Sequence, residues 1–388
     1  MNFITNTEQL REEVRELRRW LHQHPEPGFE EFETSKFIRD YLSKHEIWFR
    51  ECTETGVLAE IDTKRDGKTV AFRADIDALP IIEANDVSYK SKNEGYMHAC
   101  GHDSHTAVLL ATAKFIKENI EEYSGKIRFL FQPAEESPPG GAKPMIVDGA
   151  LEGVDYVYGL HCNPEIEVGQ IAVINGPMMA AADRIEIKII GKGGHGASPH
   201  QTIDPVVIAS QVINNLQVIV SRNLNPQDAA VVTIGKLEGG FRFNVIAPEV
   251  NLDGTVRTLT PETREKVKSR IEEIVKGTVS AHGADYEFKY TYGYPPLINH
   301  DEHVDFIREV GSSLLGDKGV IELPFASLGG EDFSYFVEEV PGAFFRLGIK
   351  MTDSEQYPLH NAKFDMDEAG LEYGIKMFAG IAYKHNKR

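Results

Sequence analysis

Three imidazoles and a thiol fall within the eight residues His98-Ala99-Cys100-Gly101-His102-Asp103-Ser104-His105. Packing alone explains that density poorly, because cysteine is ordinarily buried as a small hydrophobe and a lone histidine is ordinarily a core or surface residue. Cys100 and His102 are separated by one glycine, which lets the backbone turn tightly. Both side chains can therefore address one cation, and thiolate and neutral imidazole both suit zinc and its neighbours. A second chemical signal is Gln132-Pro133-Ala134-Glu135-Glu136, directly after the run Ile127 to Phe131, which is apolar apart from Arg128. One of two adjacent carboxylates can bind a cation while the other takes a proton from activated water; in isolation the pair would read as a solvated acidic loop. A third signal is His161-Cys162 after the run Val154 to Leu160, with Asn163-Pro164 expected to end that strand.

Two further sets are ambiguous. Thr69 to Asp75 reads as a strand that runs into Asp75-Ile76-Asp77. Those carboxylates fit either an active-site edge or a turn, and Asp75 is the less suited to a direct role. His22 and His24 could bind metal, but they read better as the end of the first helix, where the helix dipole favours them.

These groups must be brought together by the elements that carry them. In a parallel sheet the C-terminal ends of the strands share one edge, so Cys100, His102, Glu135, Glu136 and His161 can meet despite their separation in sequence. The spacing predicts helices over residues 1–24, 32–44 and 106–120 and strands over 56–62 and 69–75. From about Asp183 the pattern changes: Ile185, Ile187 and Ile189 alternate with charged residues, as in a strand with one solvated face. The order that follows is βαββαβ, that of a ferredoxin-like unit. After about Pro296 the chain returns to alternating helix and strand, ending in a helix over 368–383; if this part completes the first sheet, His360 stands at the same edge. The fold expected is α/β: a mixed, mostly parallel sheet sandwiched by helices (residues 1–180 and 294–388), interrupted by an inserted ferredoxin-like domain (181–293).

Composition narrows the function classes. The chain has 388 residues, enough for two or three domains. Sixty acidic against forty-one basic residues give a net charge of -19, which disfavours nucleic acid and anionic membrane surfaces as partners. Three cysteines, Cys52, Cys100 and Cys162, suggest no disulfide framework and a reducing compartment. No apolar run of spanning length and no export-type leader is visible, so a cytoplasmic protein is expected.

The stretches LHQHPE, RADIDALP, MHACGHDSH, FQPAEE, GLHCNP, GKGGHGASP, FNVIAPE, GTVRT, GGEDF and HNAKFD follow in order over nearly the whole length. Together they resemble the M20 family of metal-dependent peptidases and amidohydrolases, in its aminoacylase, hippurate hydrolase and N-acetyldiaminopimelate deacetylase-like branch. The resemblance implies that Cys100, His102, Glu136, His161 and His360 hold two divalent cations (Zn, Mn or Co) per subunit, with Glu135 as general base. It implies a lid domain that dimerises, making the protein a homodimer or higher oligomer, with His195 of the GGHGASP loop reaching an active site as an oxyanion donor. Asn244 is implied to hold the substrate carboxylate, and Glu331 and Asp332 to border the pocket. Where many relatives have His-x-Asp and a bridging Asp, this chain has Asp75-Ile76-Asp77 and Cys100. The activity implied is hydrolysis of N-acyl L-amino acids to a carboxylate and a free amino acid. A carboxypeptidase or dipeptidase acting on short peptides is the rival within the same chemistry, and a thiol hydrolase using Cys100 the rival outside it.

Overall fold

In the computed structural model, which describes residues 2–352 and 355–385, the chain divides into two compact units. The first comprises Met1–Gly176, Ile298–Phe325 and Asp332–Arg388; the second comprises Pro177–Leu297 and Ala326–Glu331.

The first unit is built on an eight-stranded sheet in the order Trp48–Cys52, Gly56–Asp62, Lys126–Gln132, Thr69–Asp75, Tyr156–Glu167, Gly342–Lys350, Ile171–Val173, Val320–Glu322. Four neighbouring pairs are parallel and three antiparallel. The central strands are apolar on both faces because both are covered. Phe345, Tyr158, Phe72 and Phe129 face a core shared with the helices Arg11–Gln23, His102–Glu118, Asp301–Leu315 and Leu371–His385. Phe344, one residue earlier, points the other way onto Phe333, with ring centroids 4.9 Å apart, beside the short helix Ser334–Glu339. The late segment therefore does complete the first sheet, supplying Gly342–Lys350 next to the strand that carries His161.

Three local expectations need correction. The first helix opens as a 3-10 segment, Asn2–Leu10, and becomes α-helical at Arg11, although Leu10, Val14, Leu17 and Leu21 form the buried stripe that their spacing requires. The helix expected from Thr106 starts at His102, because Gly101 adopts φ +87° and turns the chain into it four residues early. The strand expected to stop at Asn163-Pro164 continues to Glu167. Its pairing with Gly342–Lys350 shifts register between Gly348 and Lys350, so Pro164, which has no N–H, falls within the irregularity and removes no ladder bond.

The second unit is an antiparallel sheet in the order Ala230–Gly239, Glu249–Thr258, Ala181–Ile190, Asp285–Thr291, with helices Pro205–Val218 and Pro261–Ala281 on one face. This is the βαββαβ order and the strand arrangement of a ferredoxin-like unit. Ile185, Ile187 and Ile189 are buried under the helices while Arg184 and Lys188 pair with acids on the open face. Each helix starts with proline at its first position behind a capping side chain, Asp204 or Thr260. No helix among the described residues is long and apolar enough to cross a membrane.

Where the strand of His161 meets Gly342–Lys350, a Cβ placed on Gly342 would lie 1.8 Å from the carbonyl oxygen of Val157. Backbone cannot yield as a flexible side chain would. Gly342→Ala is expected to force the two central strands apart and lower the thermal midpoint by roughly 5 °C or more, measured by differential scanning calorimetry.

Candidate metal centre

The site is assembled by backbone geometry at the ends of central elements. Cys100 and His102 flank Gly101 at the start of the buried helix His102–Glu118. Glu135 and Glu136 follow the strand Lys126–Gln132 through Ala134, which is held at φ +55°. His161 lies within the strand Tyr156–Glu167, on the far side of Thr69–Asp75 in the sheet, and His360, at φ +64°, stands in the loop before the last helix. Left-handed backbone at a non-glycine residue costs about 1–3 kcal/mol, and two of the six instances among the described residues fall at this site.

The ligand-type atoms converge. Cys100 Sγ lies 3.4 Å from His161 Nε2 and 3.3 Å from His360 Nε2. Glu136 Oε1 lies 3.0 Å from His360 Nε2, though out of hydrogen-bond alignment. The donor atoms of Cys100, His102 and His161 all fall within 4.8 Å of one another, and so do those of Cys100, Glu136 and His360, and those of His102, Glu135 and Glu136. The first two triads share only the thiol. Two cations can thus be held with the sulfur of Cys100 common to both sets.

Hydrogen bonding leaves the right nitrogens available. His102 directs Nδ1 at the backbone carbonyl (3.0 Å) and Oδ1 (3.2 Å) of Asp77, while its Nε2 is buried without a hydrogen-bond partner. His161 Nδ1 donates to the carbonyl of Cys162 at 2.8 Å and turns Nε2 toward Cys100. An imidazole whose Nδ1–H is tied to a carboxylate or carbonyl presents Nε2 as a ligand. The electrostatics agree. Burial opposes charge on His102, but Asp75, then Asp77 and Glu136, outweigh it and push its pKa up to about 10. A positive charge is therefore favoured at this spot. Burial, joined by the positive charge of Arg346, keeps His161 well below the usual imidazole range, so it stays neutral. Glu136 is held below the ordinary carboxylate range: burial opposes this, and the adjacent imidazole of His360 and the charge of His102 prevail. Orphaned Nε2, neutral imidazole, ionised carboxylate and thiol form a donor set that fits divalent metal.

Cys100 is a poor nucleophile here. Burial, and then Glu136, Glu135 and Asp75, raise its thiol well above the usual range, whereas a reactive cysteine requires electropositive surroundings.

Three residues outside the expected ligand set hold the site together. Asp77 accepts the N–H of Glu135 at 3.0 Å and of Glu136 at 2.9 Å while it orients His102. Glu31 accepts the N–H of Ala134 at 2.8 Å and the hydroxyl of Thr55 at 2.6 Å, fixing the left-handed turn before Glu135. Asp332 accepts from Arg73, Gln132 and the N–H of Ala142, so it anchors the sheet end. The ambiguity at Asp77 resolves toward the site; Glu31 carries no sequence signal beyond being an acid in a loop. His98 is fully buried with neither ring nitrogen hydrogen-bonded, and burial pushes its pKa down to about 3. His22 is bound between Asp103 and Glu83, and His24 Nδ1 lies 2.6 Å from the carbonyl of Trp20, the helix-end arrangement expected.

His195 and Asn244 belong to the second unit. The two-residue strand Gly194–His195 pairs with Val245–Ile246, and Gly196 N–H donates to the carbonyl of Asn244 at 2.9 Å. A Cβ on Gly196 would meet that same carbonyl oxygen at 2.9 Å, which accounts for the glycine. His195 is exposed, with Nδ1 accepting from Ala197 N–H at 3.0 Å.

The sequence pattern described as peptidase family M20/M25/M40 matches residues 71–384. An N-acyl-L-amino acid amidohydrolase of Geobacillus stearothermophilus is 48% identical over 296 residues, covering 76% of this chain and 80% of that one. Thermostable carboxypeptidase 2 of Saccharolobus solfataricus is 39% identical over 393 residues, covering 98% and 99%. Among solved structures, the YXEP protein of Bacillus subtilis, described as a dinuclear metal binding peptidase from the M20 family, superposes with a TM-score of 0.87 at 36% identity, covering 98% of this chain and 99% of its own.

Burial, aided by the charge of Asp77, pushes the Glu31 carboxyl up to about 7 from 4.5, against the bond from Thr55. A carboxyl whose folded pKa is raised contributes stability fully present below its unfolded pKa and lost as pH rises through the folded value. Thermal midpoints should therefore decline between pH 4.5 and about 7, and Glu31→Gln should flatten that part of the profile. A Glu31→Gln profile parallel to wild type would contradict the assignment.

Proposed function

The chain belongs to peptidase family M20/M25/M40, and from that premise we propose that it is a metal-dependent amidohydrolase cleaving N-acyl L-amino acids to a carboxylate and a free amino acid. The observation that carries this reading is the pair of overlapping donor triads around Cys100 with Glu135 and Glu136 alongside. The 48% identity to an N-acyl-L-amino acid amidohydrolase supports the substrate class. We assign Cys100, His102, Glu136, His161 and His360 as ligands of two divalent cations, of which zinc, manganese and cobalt all suit the donors.

When bound, such cations acidify a water molecule and polarise the scissile carbonyl. Glu135 takes the proton from the water as it attacks and delivers it to the leaving nitrogen. Its neighbour Glu136 is committed to the cation side, so the two adjacent acids divide the work. Asp77 holds both backbone N–H groups of the pair and keeps their carboxylates in fixed relation to His102. His195 donates to the oxyanion that develops on the former carbonyl, and Asn244 binds the substrate carboxylate. We further propose that the ferredoxin-like unit serves as lid and dimer interface, so that the enzyme works as a homodimer. A reducing cytoplasm suits a catalytic centre that depends on the free thiol of Cys100.

The first test strips the protein with chelator, reloads it separately with Zn, Mn or Co, and assays N-acetyl amino acids, N-benzoyl amino acids and dipeptides. Activity should vanish on stripping, return with a cation, and favour acylated over free-amine substrates. Preference for dipeptides would move the assignment to a peptidase, and full activity without metal would overturn the mechanism. Glu135→Gln should reduce kcat by about 10²- to 10⁴-fold with metal content unchanged; loss of metal alongside activity would remove Glu135 from the role of base.

A further inference from the structure

Asp75 and His105 stand behind the metal centre. Asp75 ends the strand Thr69–Asp75 and is wholly buried, with both carboxylate oxygens engaged: Oδ2 accepts from Arg73 Nη1 at 2.7 Å, and Oδ1 meets His105 Nδ1 at 2.6 Å. Its separation from His102 Nε2 is 3.6 Å. His105 is equally committed. Its Nε2 accepts the backbone N–H of Cys162 at 2.9 Å. A backbone N–H can only donate, so Nε2 carries the lone pair and Nδ1 the proton, giving one fixed neutral tautomer.

The N–H of Cys162 needs that acceptor. The strand Thr69–Asp75 pairs with the His161 strand only as far as Arg73 opposite Gly159. Beyond Gly159 a buried N–H on that side would be left without a partner. The carbonyl of the same Cys162 accepts from His161 Nδ1 at 2.8 Å. Cys162 is thus gripped at its N–H by His105 and uses its C=O to orient His161.

We propose that Asp75 and His105 are positioning residues that aim His161 at its cation. Asp75 fixes the tautomer of His105, His105 fixes the Cys162 backbone, and that backbone fixes the imidazole whose Nε2 faces Cys100. Neither residue binds metal itself: each already spends its polar atoms on the relay. The inference rests on the reading of His161 as a ligand.

The test titrates chelator-stripped full-length protein with Co²⁺, counting bound ions by equilibrium dialysis, and records the thermal midpoint of each metal-free variant. Wild type should take up two ions, and His161→Ala should lose or weaken one. His105→Asn is too short to reach the Cys162 N–H. Asp75→Asn must turn an amide N–H toward Arg73 or His105, both donors. Each should weaken the same ion as His161→Ala by roughly 10- to 100-fold, leaving the other ion unchanged. His105→Gln can present an oxygen to the Cys162 N–H and should recover most of the loss. It also keeps the question open should His105→Asn fail to fold. The relay is overturned if His161→Ala loses an ion while Asp75→Asn and His105→Gln bind both as wild type and His105→Asn does the same. It is also overturned if all three lower the metal-free midpoint alike with unchanged binding, since that is a packing role. Retention of both ions by His161→Ala would instead overturn the ligand reading, and the relay with it.

Discussion

A single carboxylate, that of Asp77, ties the two halves of the metal centre together. It stands just past the strand Thr69–Asp75, and its oxygens reach His102 at the head of one helix and the N–H groups of Glu135 and Glu136 after another strand. Hydrogen bonds to an ionised acceptor are worth about 1.5–3 kcal/mol each, more than the bonds of a neutral side chain in its place would supply. The larger consequence is geometric. The acid pair and the imidazole come from segments that share no sheet hydrogen bond at that point, and Asp77 makes their separation a property of one rigid group.

A second tier of buried charge holds that tier in place. Arg73, Asp75 and Asp332 are wholly inaccessible, and Arg73 bonds both acids and the Gln132 amide. Burying an ion pair brings little or no net stability compared with apolar packing, while removing one partner costs about 3–5 kcal/mol. The network is therefore better understood as fixing where strand ends lie than as strengthening the fold. The same weighing applies to Ala134: backbone strain of about 1–3 kcal/mol is matched by the bond from its N–H to Glu31, so the left-handed turn that presents Glu135 persists.

Much of this was legible in the sequence. The helix Phe32–Lys44 and the strands Gly56–Asp62 and Thr69–Asp75 follow from apolar periodicity bounded by turn residues. The residues Cys100, His102, Glu135, Glu136 and His161 stand out by type and clustering, while His360, a lone loop histidine, is legible only through the family resemblance; the first unit brings all six together. What periodicity conceals is direction. His102 and His105 are the same residue type, three apart on one helix, yet one turns an unpartnered Nε2 into the centre and the other is saturated by Asp75 and Cys162. The partners that make that difference lie about thirty and sixty residues away. Pro164 misled for a related reason: its missing N–H forbids a ladder bond, and whether a bond is needed there depends on the register of a strand nearly two hundred residues later.

If Cys100 bridges two cations, as proposed, a thiol rather than a carboxylate at that position also changes what the surrounding protein must do. A carboxylate is ionised at neutral pH without assistance. Cys100, buried beside Glu135, Glu136 and Asp75, is held in the protonated form until a cation displaces its proton. Metal uptake then releases a proton that an aspartate at that position would not carry. The tautomers of His161 and His105 are fixed in advance by backbone groups, whereas His102, its pKa pushed up to about 10 by Asp75, Asp77 and Glu136 against its burial, carries a proton on Nε2 that a cation there would also displace. On the proposed ligand set, loading therefore draws protons from two groups, the Cys100 thiol and the His102 imidazole, and affinity rises with pH through both.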